Sequence, residues 1–396
     1  MRGLVGGLVL LAWTGGISFA QPDSGQGEPV TKVRPEVIYR QSLLSRRKSA
    51  VFHRPNEDKD TVDQVYATLR FDSSWEYEDA AVFEAGIRTP RSAPNGEIEL
   101  VMHQAFIESQ LAGGRLILTA GKKVEFDGPG ILMNPSDLLN EDKDLIDPLY
   151  QREGKVFTRL MLTGAVGKVG LGYIPKRAAF AGEGKAWLQG QTQIAGGDFR
   201  LQATMQSENK ATTGFSVSRF FASDRLELHL DGRYQARQRS VNEQRERAYS
   251  VFKNRDPSAF VLAGGRFVVK GKRSATVEVM QNQSGLDREE FKSFFAAIDA
   301  LDEGNNDKKP DSRFLGRNYA FLAFHDEDSL PRSRLSASVL LNATDKSTFG
   351  SIELRHSVSP LIALSVNPLF FSGAKDSEFG EMPFKTIMFF QATGRI

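Results

Sequence analysis

Apolar and polar positions alternate with a period of two along most of this chain. In "DRLELHLDGRYQARQR", from Asp224 to Arg239, Leu226, Leu228 and Leu230 share one parity, while Glu227, His229, Asp231, Arg233 and Arg237 share the other. Successive side chains of a strand point to opposite faces, so the segment has one apolar and one charged face. "QVYATLRFD", "AVFEAGIR", "FRLQATMQ" and "SIELRH" repeat the pattern. The alternation predicts seventeen strands, near 65–77, 79–89, 97–112, 114–125, 154–165, 168–177, 186–195, 198–207, 212–221, 224–238, 258–270, 273–283, 316–327, 332–343, 347–357, 361–372 and 383–395. It is lost midway through 97–112, and 186–195 is rich in Gln.

The connections alternate too. "ED", "GG", "GK", a second "GG" (Gly196, Gly197), "SD", "GK" and "SP" follow odd-numbered segments, and these are tight-turn residues. Even-numbered segments lead into longer stretches: 90–96, 126–153, 178–185, 239–257, 284–315 and 373–382. Short periplasmic turns on one rim and long extracellular loops on the other are the pattern of an outer-membrane barrel. The expected fold is all-β, a transmembrane antiparallel β-barrel whose apolar parity faces lipid and whose charged parity faces a water-filled lumen. A soluble sandwich would bury the apolar faces against a second sheet and gives no reason for alternating rims. Parity makes 65–77 descend from the outside, and bacterial barrels have an even strand number with both ends periplasmic. An ascending strand should precede it, in "EVIYRQSLL" or "KSAVFHRP" between Glu36 and Pro55. That makes eighteen strands, or sixteen if one hairpin is over-split. Trp75, Tyr77, Phe220, Phe221, Phe389 and Phe390 are expected to form the periplasmic aromatic girdle.

Composition narrows the setting. The formal net charge is +2 and there is no Cys. Near neutrality gives no pull toward nucleic acid, and without Cys there is no disulfide, thiol nucleophile or Cys-ligated metal. Arg2 precedes the apolar run "GLVGGLVLLAW", too short to span a bilayer as a helix. "ISFA" sets Ser18 and Ala20 at the −3 and −1 positions of a cleavage site, with Gln21 as the mature start. The expected organisation is a signal peptide over 1–20, a disordered or periplasmic segment over 21–35, and a barrel over 36–396 in the outer membrane.

"FIESQLAGGRLILTAGKKVEFDGPGILMNPSDLLNEDKD" joins a strand ending in Gly121-Lys122-Lys123 to Gly-rich residues and then Asn134-Pro135-Ser136-Asp137-Leu138. "QREG" at Gln151–Gly154 opens the next strand. This resembles the hairpin and following loop of porin-like Gram-negative outer-membrane β-barrel families and, more distantly, of alginate-export-type barrels. In those the strand commonly reads Gly-Arg/Lys-Gln and leads to Trp-Gly and an Asn-Pro-x-Asp turn. Here Val124-Glu125-Phe126-Asp127-Gly128 replaces the Trp-Gly context, and the chain ends "TGRI" where many such barrels end in Phe or Trp as an assembly signal. The resemblance implies an outer-membrane channel that meets the barrel-assembly machinery. Apart from it, Pro135 fixes φ and Ser136 or Asp137 bonds nearby backbone, which predicts a rigid turn. Loop 126–153 either folds inward, making Asn134, Pro135, Ser136 and Asp137 the constriction candidates, or lies outside as a surface loop.

Parity places Arg70, Arg88, Arg159, Arg200, Arg233, Arg237, Arg266 and Arg355 in the lumen, with Asp72, Glu84, Glu227, Asp231, Glu278 and Glu353. Lumen charges set the electrostatic barrier to permeants, and the slight Arg excess points to anions or to polar solutes bridged by guanidinium and carboxylate groups. Paired across neighbouring strands, the same charges would only hydrate the wall. "SGLDREEFKSFFAAIDALDEG" breaks the strand pattern and predicts a loop helix near 287–301, with Asp287 and Glu290 as a capping box and Gly304 as a stop. There is no G-x-S-x-G, H-E-x-x-H, Walker loop or dinucleotide fingerprint. His229 and Asp231 with Ser216 or Ser218 come nearest to a hydrolytic set, and nothing in the sequence enforces that geometry. No enzyme activity, cofactor or metal is expected. "DEGNNDKKPD" lacks EF-hand spacing. The expected function is passive passage of small hydrophilic solutes, anions among them, through a charged lumen. The alternatives are export of an anionic polysaccharide and a non-conducting adhesin or receptor. The expected partners are outer-membrane lipid, the solute or polysaccharide, and the assembly machinery; parity leaves the oligomeric state open.

Overall fold

The computed structural model describes residues 30–46, 61–74, 80–88, 99–125, 128–138, 154–175, 184–206, 211–221, 225–235, 258–269, 272–299, 314–327, 329–382 and 384–395. Eighteen strands form one antiparallel sheet. They are β1 (Val30–Arg46), β2 (Thr61–Ser74), β3 (Ala80–Arg88), β4 (Glu99–Leu111), β5 (Leu116–Lys123), β6 (Lys155–Thr163), β7 (Gly167–Ile174), β8 (Lys185–Ile194) and β9 (Gly197–Gln206). The wall continues through β10 (Ala211–Phe221), β11 (Leu226–Gln235), β12 (Ser258–Val268), β13 (Arg273–Asn282), β14 (Asn318–Asp326), β15 (Ser333–Asn342), β16 (Ser347–Ser357), β17 (Ile362–Ser372) and β18 (Phe384–Arg395). Among the described residues one helix, α1 (Arg288–Asp299), lies between β13 and β14. Each strand pairs with its sequence neighbours, and β1 pairs with both β2 and β18, so the sheet closes on itself. Closure leaves no edge strand.

The two parities separate as the alternation requires. On β11, Leu228 and Leu230 are exposed while His229 and Asp231 are buried. Leu160, Leu171, Leu188, Leu201, Val277, Leu322, Val339 and Ile352 carry the exposed apolar face round the wall. An apolar band of this extent on a closed barrel is a lipid-facing surface. Among the described residues no helix is long and apolar enough to cross a membrane.

Every predicted segment contains a strand, and the missing ascending strand is β1. It starts at Val30, which corrects the expected boundary between a disordered 21–35 and a barrel from 36. Residues from Val30 to Pro35 pair with β2 alone, and the ladder to β18 begins at Glu36↔Arg395. With a neighbour on one side only, Pro35 stands where a sheet tolerates a missing N–H. The segment 1–20 lies outside the described residues. The lost alternation in 97–112 has a definite cause: Glu84 pairs with Gln104 and Ala85 with Met102, so His103 is the extra residue of a β-bulge. The turn between β8 and β9 is Ala195-Gly196, both at positive φ, and Gly197 already belongs to β9. Two positive-φ residues match the twist of a two-residue hairpin. Phe220 and Phe221 are exposed at the short-turn rim, but Phe389 is no girdle residue: it is buried in the lumen beneath Arg40, 4.7 Å from the ring centre. Trp75 and Tyr77 lie outside the described residues.

Helix α1 carries the predicted cap. Glu290 N donates to Asp287 Oδ1 at 3.0 Å, and Asp287 N donates to Glu290 Oε2 at 2.7 Å. Leu286, Phe291, Phe294 and Phe295 are buried, so one helix face is packed rather than presented to solvent. Gly304 lies outside the described residues. Asp287→Ala should destabilise the helix by about 1 kcal/mol. Faster amide exchange over 288–292, with the barrel strands unchanged, is the expected readout.

Candidate functional site

The residues after β5 turn into the barrel rather than away from it. At the stem, Glu125 Oε1 meets Arg159 Nη2 at 3.0 Å and Lys123 Nζ at 3.4 Å. Lys123 Nζ also meets Glu108 Oε2 at 2.7 Å, and Thr119 Oγ1 donates to the same oxygen at 3.0 Å. At the far side, Ile131 N and Leu132 N donate to Glu278 Oε1 and Oε2 at 2.6 and 2.9 Å. Ser136 N and Oγ donate to Asp231 Oδ1 and Oδ2 at 2.6 and 3.1 Å. β5 and β11 stand six strands apart in a wall of eighteen, so the loop crosses the lumen.

Between these anchors the chain makes the turn expected at Asn134, Pro135, Ser136 and Asp137: Asp137 N donates to Asn134 O at 3.0 Å. Pro135 at the second position fits the φ such a turn needs. Gly214 in the wall lets the loop come close, and Gly264 makes room for the side chains that anchor it. A Cβ at Gly214 would lie 2.8 Å from Ser136 O, and one at Gly264 would lie 2.6 Å from Glu278 Cγ and 2.7 Å from His229 Nε2. His229 Nε2 sits 3.1 Å from Glu278 Oε1. Ser218 and Ser216 stand opposite His229 and Asp231 in register, but His229 Nε2 is engaged by Glu278 and Asp231 by Ser136.

The lumen has two chemically different sides. On the long-loop half of β12–β18 many inward positions are apolar: Phe260, Leu262, Met280, Phe321, Leu340 and Leu369 belong to one buried cluster, with Ser258, Glu278, Asn342 and Ser347 buried among them. Leu132 and Met133 of the crossing loop join it, as do Phe314 and Phe379 from two other loops. This corrects the expectation of a charged parity all round the lumen. Loops fill that half, and the side chains beneath them are apolar for the reason any core is. The other side is polar. Lys155 and Arg233 lie within Coulombic reach of Lys185 near the long-loop end of the wall. Trp187 fills the space over Gly172, and the Arg159 guanidinium lies 5.8 Å from the Phe157 and Trp187 rings.

The sequence-derived residues fall out as follows. Arg159, Arg200, Arg233, Arg266, Arg355, Glu227, Asp231 and Glu353 occupy inward register positions, and Arg200, Ser216, Asp231 and Leu262 share one row across β9–β12. Arg266 Nε and Glu227 Oε2 pair across strands at 3.5 Å, the wall-hydrating arrangement. In the backbone register Arg70 pairs with Glu84 and Arg88 with Tyr66. Arg237 lies outside the described residues. Sequence reasoning missed Glu108, Lys123, Glu125, Lys155 and Lys185. Lys123 and Lys155 flank the crossing loop and pair in register, and Lys185 opens β8, so strand-end lysines were the available signal.

No family model matches the chain, and neither does any curated protein. Solved structures do. OccK11 (OpdR) of Pseudomonas aeruginosa matches with TM-score 0.55 and 10% identity, over 92% of this chain and 96% of that one. A BenF-like porin from Pseudomonas fluorescens Pf-5 gives 0.58 and 8%, over 93% and 98%. OpdK of Pseudomonas aeruginosa, solved with vanillate, gives 0.54 and 9%, over 92% and 98%. Identity this low carries the architecture and nothing finer: the chain has the barrel fold of outer-membrane porins.

Proposed function

We propose that the protein is an outer-membrane channel for passive passage of small anionic solutes, delivered by the signal peptide over 1–20 and closed by the assembly machinery. The observation that carries this is how the lumen uses its charges. Glu108, Glu125, Asp231 and Glu278 are engaged in holding the crossing loop, while Lys155, Lys185 and Arg233 gather on one wall. Lys123 and Arg159 are drawn into the stem pairs as well, so the basic character of the wall rests on the cluster around Lys185. A wall of that sign lowers the barrier for anions. OpdK, which shares the fold, was solved with vanillate, an aromatic carboxylate, and such a solute suits a basic wall that adjoins an apolar one, as where Arg233 lies 5.6 Å from the Phe260 ring centre. A lumen crossed by a loop favours small solutes over polysaccharide.

Asn134, Pro135, Ser136 and Asp137 form the constriction in this reading. His229 and Asp231 serve the loop and not a reaction. The test is single-channel recording of the chain lacking residues 1–20 in planar bilayers. Discrete steps with anion preference are expected. A correctly folded barrel without steps would return the adhesin or receptor reading.

A further inference from the structure

Loop 373–382, between β17 and β18, meets the long-loop rim around one buried carboxyl. Glu378 is 1% exposed. Tyr319 Oη and Asn342 Nδ2 donate to its Oε2 at 2.6 and 2.7 Å, and Leu315 N donates to its Oε1 at 3.1 Å. Its own N–H donates to Asp345 Oδ2 at 2.6 Å, and the next, of Phe379, donates to Ser347 Oγ at 3.2 Å. The segment before β14, β14 itself, the end of β15 with its turn, and loop 373–382 therefore meet at Glu378.

Every one of these donors to the carboxyl is neutral. The charged and titratable groups around it come from each element packed there. Tyr319 belongs to β14, and Asp345 and Lys346 to the turn after β15. Arg317 turns to Asp287 and Glu290 at 3.3 and 3.4 Å. Lys375, Asp376 and Glu381 lie on the loop itself, with Glu381 Oε1 accepting from Asp376 N at 2.9 Å. Phe379 and Phe314, beside the hub, share their buried cluster with Leu132 and Met133 of the crossing loop.

We propose that Glu378 is a proton-operated latch: protonated, it holds segment 314–317 and loop 373–382 on the barrel mouth, and ionised, it lets them loosen. Burial pushes this carboxyl up to about 7 from an ordinary 4.5, outweighing the hydrogen bonds from Tyr319, Leu315 and Asn342, which favour the ionised form; the Asp345 charge adds to the rise. Below the ordinary value both the docked and the loosened loop carry the proton, and docking is at full strength. Between the two values the loosened loop ionises while the docked one keeps its proton, so docking weakens as pH rises. Above the upper value both are ionised and the change ends. A span of this size corresponds to roughly 300-fold in the ratio of docked to loosened loop.

Amide hydrogen exchange on the full barrel, from about pH 4.5 to about pH 8 and corrected for intrinsic exchange, reads the latch directly. Protection at Leu315, Glu378 and Phe379 should fall with rising pH by roughly that factor, while the interior of β16 keeps its own. Glu378→Gln should stay protected throughout. Asp345→Asn removes the repelling charge and should shift the fall to lower pH and shrink it; it carries the test if Glu378→Gln does not assemble. A flat wild-type profile, a fall that persists in Glu378→Gln, or an unmoved midpoint in Asp345→Asn overturns the latch. The readout is loop protection and not current, so it stands or fails apart from the channel reading.

Discussion

Replacing Asp231 and Glu278 together by alanine should release the crossing loop and raise single-channel conductance by about two-fold or more. The two carboxylates accept four hydrogen bonds, two from backbone N–H groups at 131 and 132 and two from Ser136. Bonds to charged groups contribute about 1.5–3 kcal/mol each. The double variant removes the carboxylate acceptors of all four bonds, and taking the acceptor from a buried donor is costlier than never having made the bond. Against release stand Leu132 and Met133, each worth about 1.5–3 kcal/mol of burial. The carboxylates outweigh them. Asp231→Asn with Glu278→Gln keeps one acceptor oxygen at each place and should give an intermediate conductance. A folded double-alanine barrel with wild-type conductance would mean that the apolar anchors alone hold the loop, or that the narrowest point lies elsewhere. Both losses remove negative charge, so anion preference should rise with conductance.

Lys185→Glu with Arg233→Glu should reverse the ion preference. Each substitution changes the local charge by two units, and Lys155 and Arg233 both lie near Lys185. At a few ångströms in a partly aqueous lumen one unit shifts an ion's energy by about 1 kcal/mol. Two reversals therefore move the anion-to-cation permeability ratio by well over about ten-fold. The reversal potential under a salt gradient should change sign, and glutamine at both positions should bring it near zero. An unaltered reversal potential in folded barrels would place the selective site away from this wall.

The wall was almost wholly legible in the sequence, because strand parity is a local property. Leu226, Leu228 and Leu230 state their orientation within five residues, and so do the other segments. His103 hid the middle of β4, since one inserted residue exchanges the two faces and erases the alternation that marks them. Val30–Pro35 was read as tail because its one-sided pairing tolerates polar residues and proline.

The interior was less legible, for a different reason. Ser136 and Asp231 are 95 residues apart, and Ile131 and Glu278 are 147 apart. No local pattern announces such partners, so the turn at Asn134–Asp137 could be foreseen but not the side of the wall it leans on. The apolar half did leave a trace. In β12, Phe260 and Leu262 face inward while Val261 and Ala263 lie on the other parity, so both parities are apolar there. A strand apolar on both faces has something packed on each.

The seam between β1 and β18 has one more consequence. There the strands bond as in any hairpin of the wall, Gln41 against Phe390 and Tyr39 against Ala392, though no peptide connects them. The covalent break is therefore incidental to the cylinder, as the join is to a hoop. A permuted gene that ties the two ends together and opens the chain at another short turn, such as 164–166, would encode the same ladder of hydrogen bonds in the same cyclic order.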